Sequence, residues 1–349
     1  MNRTNASKIY NLVKAEAVLT EAEDLRKYLT GISTSFGYVL SDKNGTSFYT
    51  DSRYLEGALN ALKGTGIAVK QFVPPLENLI SSYNQIAVPI GRTLYPDYEK
   101  LKNNGFEIVD SLPAFTSAMS VKEDYELEYI KNACRITDRA FSALLDTIKE
   151  GQTENEVAAQ LEYLMRKFGA SGTSFETIVA FGENSSVPHH ETGARKLKNG
   201  DIILIDFGCK IGGYCSDCTR TVLFGGNGGH EEFKKAYEAV LKAHLLAKEK
   251  ITCNMTGKDA DAIARNCLKE YGLDKFFTHA LGHGIGINVH EFPRLSPKSE
   301  DRLTNGMVFS DEPGVYLEGK FGIRIEDTVA LSNGTIESLT DSDKKLIIL

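Results

Sequence analysis

The sequence predicts an α/β protein of two domains, the second with α+β character. Three observations lead to this prediction. The chain has 349 residues, more than a single hydrophobic core usually serves. Short apolar runs alternate with amphipathic segments over the first third of the chain, a pattern typical of a sheet covered by helices. Later, long helical patterns precede a tail that alternates between polar and apolar residues. We place the domains at residues 1–118 and 119–349.

The first domain is predicted to be a mixed sheet with helices on its faces. The run from Asp42 to Gly45 separates two apolar segments and indicates a hairpin. Asp51 is a typical cap for a helix that ends before Gly64. Neither histidine nor cysteine occurs in this part of the sequence, so it offers no obvious catalytic group of those types. The predicted helices are 13–30, 51–62 and 98–103, and the predicted strands are 36–40, 46–50, 67–72, 85–90 and 106–109.

The second domain is predicted to begin after Leu112-Pro113 with long amphipathic helices. Apolar residues recur at helical spacing from Leu127 to Ile148, and Gly151 ends that pattern. Further helices are predicted at 154–168, 231–248 and 257–271, strands at 174–181, 201–208 and 214–224, and antiparallel sheet over 307–349.

Composition and charge exclude several functional classes. A hydrophobic fraction of 42% is ordinary, and a net charge of −7 gives no support to a nucleic-acid or anionic-membrane partner. No apolar run approaches the ~20 residues that span a bilayer. The N-terminus has no apolar signal region, so we expect a cytoplasmic location. We expect the six cysteines to be reduced structural thiols, although Cys215 and Cys218 have CxxC spacing.

Two aspartates flank a predicted hairpin around Ile211-Gly212-Gly213. We expect a register that places Asp206 opposite Asp217, with Cβ atoms about 5 Å apart. Like charges in that position repel each other, and a bound divalent cation would remove the conflict. The alternative is that one aspartate caps an element or faces solvent.

Three of the seven histidines, His279, His283 and His290, lie within twelve residues of each other. Glycines between them disfavour a helix and permit close approach of the backbone. One histidine as a metal ligand, with the others as hydrogen-bond donors, would suit hydrolysis at a metal. A lone histidine is more often a core or surface residue, and the cluster favours the functional interpretation.

Glu312 precedes Pro313-Gly314 at a predicted strand end, and Arg324 and Glu326 share one strand face. The arginine could orient the carboxylate, or the two could form a surface ion pair of little energetic value. Together, four carboxylates and one imidazole form a set that favours Mn²⁺, Co²⁺, Fe²⁺ or Zn²⁺ in a two-metal site.

At these residues the sequence resembles the M24-type "pita-bread" metallopeptidases: methionine aminopeptidase, Xaa-Pro aminopeptidase (aminopeptidase P) and Xaa-Pro dipeptidase (prolidase). The motifs DFG…GYCSDCTRT, HALGHGIG…VHEFP, DEPGVY and GIRIEDT match the family patterns in order and spacing. One departure is Cys218, where the family usually has an aliphatic residue. FYTDSRYLEGA and the surrounding region look like the creatinase-type N-terminal domain, which methionine aminopeptidases lack. The resemblance therefore implies a creatinase-type α/β domain followed by a pita-bread catalytic domain.

The resemblance also implies a role for each site residue. Two divalent metal ions, Mn²⁺ foremost, would be held by Asp206, Asp217, His283, Glu312 and Glu326. The catalytic residues would be His189, His279, His290 and Glu312, with Glu312 as the proton shuttle. The substrate-binding residues would be His189, Arg294 and Arg324.

The leading functional hypothesis is an Xaa-Pro aminopeptidase, which removes one residue that precedes proline. The alternative is an Xaa-Pro dipeptidase, in which Arg294 could hold the carboxylate of a dipeptide; the surrounding HExPR run occurs in both kinds of enzyme. A third hypothesis is a non-catalytic pita-bread binding protein, although such relatives usually lose several ligands. We expect proline-containing peptides as substrates and a homodimer, with no nucleic-acid or membrane partner.

Overall fold

The computed structural model describes residues 5–226 and 230–349. A boundary between residues 119 and 120 separates two compact units. Within the described ranges, no helix is both long and apolar enough to cross a membrane.

From residue 5 onwards, where the structure describes it, the first unit contains one six-stranded sheet and six helices. The strands are β1 (Ala17–Thr20), β2 (Tyr38–Asp42), β3 (Gly45–Thr50), β4 (Ile67–Gln71), β5 (Gln85–Val88) and β6 (Glu107–Asp110). The helices are α1 (Asn5–Leu12), α2 (Glu23–Thr30), α3 (Ser52–Ala61), α4 (Glu77–Ile80), α5 (Tyr95–Asn103) and α6 (Leu112–Ser120). The strand order is β4-β3-β2-β1-β5-β6, and the sheet mixes parallel and antiparallel pairs, as predicted.

Local signals explain much of this unit. Strands β2 and β3 form the predicted hairpin, and the Asp51 side chain accepts a hydrogen bond from the Arg53 backbone at the start of α3. The continuous helix predicted over 13–30 is wrong, because β1 and α2 occupy that segment. All four residues of β1 are buried, and the strand pairs with both β2 and β5. A run this short has no decisive periodicity, so its sheet neighbours determine its conformation.

Outside the undescribed residues 227–229, the second unit contains four long helices and the remaining strands. The helices are α7 (Asp124–Leu145), α8 (Glu154–Lys167), α9 (Glu231–Lys250) and α10 (Gly257–Glu270). The first group of strands is β7 (Gly172–Thr173), β8 (Ile178–Phe181), β9 (Ile202–Phe207), β10 (Cys209–Ile211), β11 (Tyr214–Cys215) and β12 (Cys218–Leu223). The second group is β13 (Gly282–Gly284), β14 (Glu291–Leu295), β15 (Val308–Asp311), β16 (Gly314–Leu317), β17 (Phe321–Arg324), β18 (Asp327–Ser332) and β19 (Thr335–Ser338). Short 3-10 helices cover Gly182–Ser186 and Asp274–Phe276.

This unit has two large cores, each made of a helix pair and a sheet. Helices α7 and α8 pack on β8, β9 and β12 through buried side chains such as Phe141 and Leu161. Helices α9 and α10 pack on the sheet of order β14-β13-β15-β18-β19 through residues such as Val240 and Phe309. Because one face of each sheet is buried against its helix pair, the polar side chains of that sheet lie on the face away from the helices.

The C-terminal tail only partly follows the prediction of antiparallel sheet over 307–349. The antiparallel pairing of β18 with β19 ends at Ser338. Beyond it, the backbone of Leu223 donates to Ile347 O at 3.0 Å and accepts from Leu349 N at 2.9 Å, in a parallel bridge. The tail therefore adds to the edge of β12 instead of extending the last hairpin.

Candidate metal centre

The five residues predicted to bind metal lie in or next to strands of the second unit. Asp206 is the penultimate residue of β9, and Asp217 immediately precedes β12. His283 is the central residue of β13. Glu312 follows β15, and Glu326 precedes β18. The site thus draws its side chains from both sheets, and the packing of these sheets decides how close the side chains come.

The register predicted for the aspartates is wrong. In the structure Asp206 pairs with Thr219, and the hairpin closes with Ile211 opposite Tyr214. The turn residues are Gly212 and Gly213, which have φ of 59° and 87°. Two consecutive positive φ values are the requirement of the tight turn that matches strand twist, and glycine meets it without strain. Asp217 therefore reaches the site from the residue before β12, not from a position opposite Asp206.

Four of the predicted ligands are linked by short distances. Single ligand atoms of Asp217, His283 and Glu326 all lie within 4.8 Å of one another. His283 Nε2 lies 3.3 Å from Glu312 Oε1 and 3.7 Å from Asp217 Oδ2. The charge of Asp206 acts on the carboxyls of this group. All five predicted residues are therefore brought together.

The imidazole of His283 is arranged as metal ligands usually are. Its Nδ1 lies 3.2 Å from Gly284 O, so Nδ1–H can donate to this carbonyl and leave the Nε2 lone pair facing the carboxylates. Burial, together with the charge of His290, lowers the pKa of His283 to about 4. The ring is consequently neutral at physiological pH, the form that binds a cation.

Protein donors hold one oxygen of each of three carboxylates. The Thr219 hydroxyl donates to Glu326 Oε2 at 2.7 Å, and the Ser310 hydroxyl donates to Glu312 Oε1 at 3.0 Å. Arg324 Nη2 donates to Asp206 Oδ2 at 2.5 Å. The other Asp206 oxygen, Oδ1, is buried and has no hydrogen-bond partner among residues 5–226 and 230–349. An unsatisfied buried oxygen is costly, and a cation would satisfy it.

The acids of this group cannot all ionise easily without a cation. Burial raises the pKa of Asp217 and of Glu326 well above the usual range, and each is raised further by carboxylates of the group. Burial also raises the pKa of Glu312 to about 8, although Arg324 opposes the shift. Oxygen-rich ligands, one neutral imidazole and excess negative charge fit divalent metal ions.

The supporting histidines surround this group. His279 Nδ1 lies 2.8 Å from Ala280 O, and its Nε2 lies 2.9 Å from the Tyr316 hydroxyl. His290 is exposed, and its ring centroid is 4.2 Å from that of His283. His189 is exposed, and its charge contributes to lowering the pKa of His279 and of His290, for which burial is the largest cause.

The two predicted substrate-binding arginines differ in their surroundings. Arg294 is exposed and pairs with His283 across β13 and β14, so it lies beside the site. Arg324 is only 4% exposed and donates to Asp206, to the Thr219 hydroxyl at 2.9 Å and to the Tyr316 hydroxyl at 2.6 Å. The hydrogen bonds of its guanidinium are therefore made to other side chains of the protein.

Several residues of the site were not predicted from the sequence. Thr219 and Tyr316 lie within the motifs CTRT and DEPGVY, so the motifs signalled them, but their roles depend on contacts with other strands. Ser310 has no local signal. Glu154 was also not predicted from the sequence. Its buried carboxylate accepts hydrogen bonds from the backbone N–H groups of Phe181 and Gly193, and it lies 2.9 Å from His190 Nε2.

The chain is similar to known metallopeptidases over most of its length. The profile of metallopeptidase family M24 matches residues 128–333. A Xaa-Pro dipeptidase from Pyrococcus furiosus is 35% identical over 325 residues, or 92% of each chain. The crystal structure of an X-Pro aminopeptidase from Thermotoga maritima covers 98% of this chain and 99% of its own, with 34% identity and a TM-score of 0.90. A Xaa-Pro dipeptidase from Bacillus anthracis covers 100% of both chains, with 32% identity and a TM-score of 0.93.

The fold class predicted from the sequence, an α/β protein with a pita-bread catalytic domain, is confirmed by these structures. With a family profile over more than half of its length and relatives along nearly all of it, the chain belongs to metallopeptidase family M24.

Proposed function

We propose that this protein is an Xaa-Pro dipeptidase that uses two divalent metal ions. The observation that carries the proposal is the meeting of Asp217, His283 and Glu326, with Glu312 and Asp206 beside them, in a chain of this metallopeptidase family. The five side chains would hold the ions, and Mn²⁺ is the ion we expect. When bound, the ions would supply a water-derived nucleophile at neutral pH and polarise the scissile carbonyl.

Glu312 is suited to move the proton of this reaction. Its Oε1 lies 3.3 Å from His283 Nε2 within the group, and burial raises its pKa in the absence of a cation, so this carboxylate takes up a proton more readily than an exposed glutamate does. The Ser310 hydroxyl holds Oε1, which fixes the direction of the carboxylate. We assign to Glu312 the transfer of a proton to the leaving imino nitrogen of proline.

The histidines divide into two roles in this proposal. Both ring nitrogens of His279 have partners within the protein, Ala280 O and the Tyr316 hydroxyl, so we assign it to shaping the wall of the site. His290 and His189 are exposed next to the same group and would contact the substrate. Arg324, with its hydrogen bonds to Asp206 and Tyr316, is assigned to holding Asp206 instead of the substrate.

Arg294 offers a place for the carboxylate of a dipeptide, but its HExPR run occurs in both kinds of enzyme, so the choice of a dipeptide rests on the names of the relatives. An exposed guanidinium across the strand pair from His283 could bind the C-terminal carboxylate of a dipeptide whose scissile bond lies at the metals. The name Xaa-Pro dipeptidase of the relatives from two Pyrococcus species supports this substrate. The aminopeptidase hypothesis is supported by the similarity to the Thermotoga maritima structure, and it remains the second candidate.

A substrate panel separates the two candidates. The Mn²⁺-loaded protein is assayed on Xaa-Pro dipeptides, on the same dipeptides with an amidated C-terminus, and on Xaa-Pro-Xaa tripeptides. We expect dipeptides to be hydrolysed with the highest kcat/KM and amidation to lower it at least ~10-fold, as a charged hydrogen bond is worth about 1.5–3 kcal/mol. Arg294→Gln should remove this difference, whereas Arg302→Gln, at another exposed arginine, should retain it.

The outcomes of this panel are distinct. Equal or better hydrolysis of tripeptides would favour the aminopeptidase. Loss of all hydrolysis in Glu326→Ala is expected for either enzyme, and unchanged hydrolysis in that variant would contradict the metal-dependent assignment. A homodimer, a cytoplasmic location and Mn²⁺ as the native ion stay predictions, which sedimentation, fractionation and metal analysis of the purified protein would test.

A further inference from the structure

A second pair of acids lies directly behind the metal centre. Strands β15 and β18 pair antiparallel, and their register places Asp311 opposite Asp327. Both side chains are 0% exposed. Directly opposed residues have Cβ atoms about 5 Å apart, and like charges in that arrangement are destabilising. The opposition that the sequence suggested for Asp206 and Asp217 is thus found at another place in the fold.

A buried histidine lies between these two carboxylates. His244, on α9, is 0% exposed. Its Nδ1 is 3.1 Å from Asp311 Oδ2, and its Nε2 is 3.4 Å from Asp327 Oδ2. Neither ring nitrogen meets the geometry of a hydrogen bond with a described residue, so the two contacts are ion-pair contacts. A neutral imidazole would leave both buried carboxylates without a compensating charge between them, whereas the imidazolium places a positive charge there. The geometry therefore selects the charged ring.

The surrounding charges agree with this protonation state. Asp327 also pairs with Arg220 at 2.8 Å and with Lys344 at 3.0 Å. For Asp311, His244 is the ion-pair partner within the described residues, and Lys248 acts on it from the same helix. Burial alone would lower the pKa of His244, but the two carboxylates outweigh it and raise the pKa to about 9.

Asp311 and Asp327 adjoin the proposed metal ligands on both strands. Asp311 is followed by Glu312, and Asp327 is preceded by Glu326. Asp311 is the last residue of β15 and Asp327 is the first residue of β18, so each glutamate is the next residue outside its strand. The position of each aspartate therefore limits where the neighbouring glutamate can lie.

We propose that His244 is a positioning residue that, as a buried imidazolium, joins Asp311 to Asp327 and so holds Glu312 and Glu326 at the spacing that metal binding needs. The inference rests on the proposed metal site, but His244 touches neither substrate nor metal. A neutral side chain at this position would leave two opposed carboxylates without the cation between them. Asp327 would keep Arg220 and Lys344, but Asp311 would lose its ion-pair partner, so the two strands would shift and the glutamates would lose their alignment.

The test uses metal binding and not hydrolysis. The full-length protein is stripped with chelator, and Mn²⁺ affinity is measured by calorimetry for the wild type, for His244→Gln and for His244→Gln/Asp311→Asn. We expect the single variant to bind Mn²⁺ about 10–100-fold more weakly, the range seen when partners of metal ligands are removed. The double variant removes one of the opposed charges, and we expect it to recover most of the lost affinity.

A spectroscopic measurement and a control complete the design. Histidine ¹⁵N NMR of the wild-type protein at pH 7.5 should show one ring with both nitrogens protonated, and this signal should vanish in His244→Gln. His230→Gln serves as control, because His230 immediately precedes the same helix and its ring lies against Gly226. We expect it to bind Mn²⁺ as the wild type does.

The results distinguish failure of this inference from failure of the proposed function. If the wild type binds no Mn²⁺, the proposed metal site is wrong. If the wild type binds Mn²⁺ and His244→Gln binds it equally well, or if no doubly protonated ring is present, the role of His244 is wrong. A single variant that does not fold, with a double variant that folds and binds Mn²⁺, would support the role.

Discussion

Thr219, Ser310 and Arg324 each donate a hydrogen bond to one oxygen of a carboxylate of the site. The donors are two hydroxyl groups and one guanidinium, and all three restrict the rotamer of the acidic side chain that they contact. This restriction orients the carboxylate in the absence of a bound cation. Thr219 connects two of these acids, because its hydroxyl donates to Glu326 and accepts from Arg324, which in turn binds Asp206.

Replacement of Thr219 by valine tests this connection with little change in shape. We expect Thr219→Val to lower Mn²⁺ affinity about 10–100-fold and the free energy of unfolding by about 1.5–3 kcal/mol, the value of a hydrogen bond to a charged group. Calorimetric titration and denaturant unfolding measure the two quantities. Thr335→Val, at an exposed threonine of β19, should change neither. Wild-type Mn²⁺ affinity in Thr219→Val would show that Glu326 needs no orienting donor.

At this scale the candidate ligands could be selected from the sequence, because their residue types and motif spacing are chemically distinctive. The donors were not, since threonine, serine and tyrosine are common in any sequence. Ser310 contacts Glu312 and the backbone of His283, which comes from another strand. That relation exists only once β13 and β15 have paired.

At the scale of elements, the loop that carries His189 is held by the first turn of α8. Glu154 Oε1 accepts from Phe181 N at 2.9 Å, and Oε2 accepts from Gly193 N at 3.0 Å and lies 2.9 Å from His190 Nε2. These contacts are made at both ends of the segment 181–193. The helix start therefore fixes where His189 stands relative to the site.

Glu154→Gln tests this anchor, because an amide cannot accept at both of its heteroatoms. We expect the free energy of unfolding to fall by about 1–3 kcal/mol, the cost of leaving a buried donor unpaired. We also expect KM for dipeptides to rise more than kcat falls, since His189 is assigned to substrate contact. Steady-state kinetics and denaturant unfolding report both effects. Glu162→Gln, a half-buried position on the same helix, is the matched control, and equal effects in the two variants would contradict the anchor.

Elements were predicted well where local chemistry is decisive and poorly where it is not. The Asp51 cap, the hairpin after Asp42 and the four long helices carry strong local signals. The register of β9 and β12 was predicted two residues out, because a glycine pair permits more than one turn position. Strand β1 was predicted as helix, since its pairing partners lie far away in the sequence.

At the scale of the whole molecule, excess negative charge in the site links stability, pH and metal. Without a cation, Glu312 titrates near pH 8 in the folded protein, against about 4.5 in the unfolded chain. The folded state therefore binds more protons than the unfolded state between these values, and stability falls as pH rises. The pKa values of Asp217 and Glu326, raised chiefly by burial, act in the same direction.

Thermal unfolding from pH 7 to pH 8, in chelator and in saturating Mn²⁺, measures this linkage. In chelator we expect stability to fall by about 1.4 kcal/mol per pH unit for each extra proton that the folded state retains. Saturating Mn²⁺ should flatten the slope, because the cation displaces those protons. His244, with a pKa of about 9, contributes to the slope under both conditions and cancels in the comparison. Parallel slopes would contradict the proposed ligand set.

The sequence alone determined the chemical type of the site, the order of its motifs and the amphipathic helices. These depend on residue identity and short-range spacing, which the chain carries before it folds. Only the tertiary structure decided the strand register, the donors that orient each carboxylate, and the place of His244 between Asp311 and Asp327. Those features require backbone segments distant in sequence to meet, and the packing of buried faces selects one arrangement among many that local patterns allow.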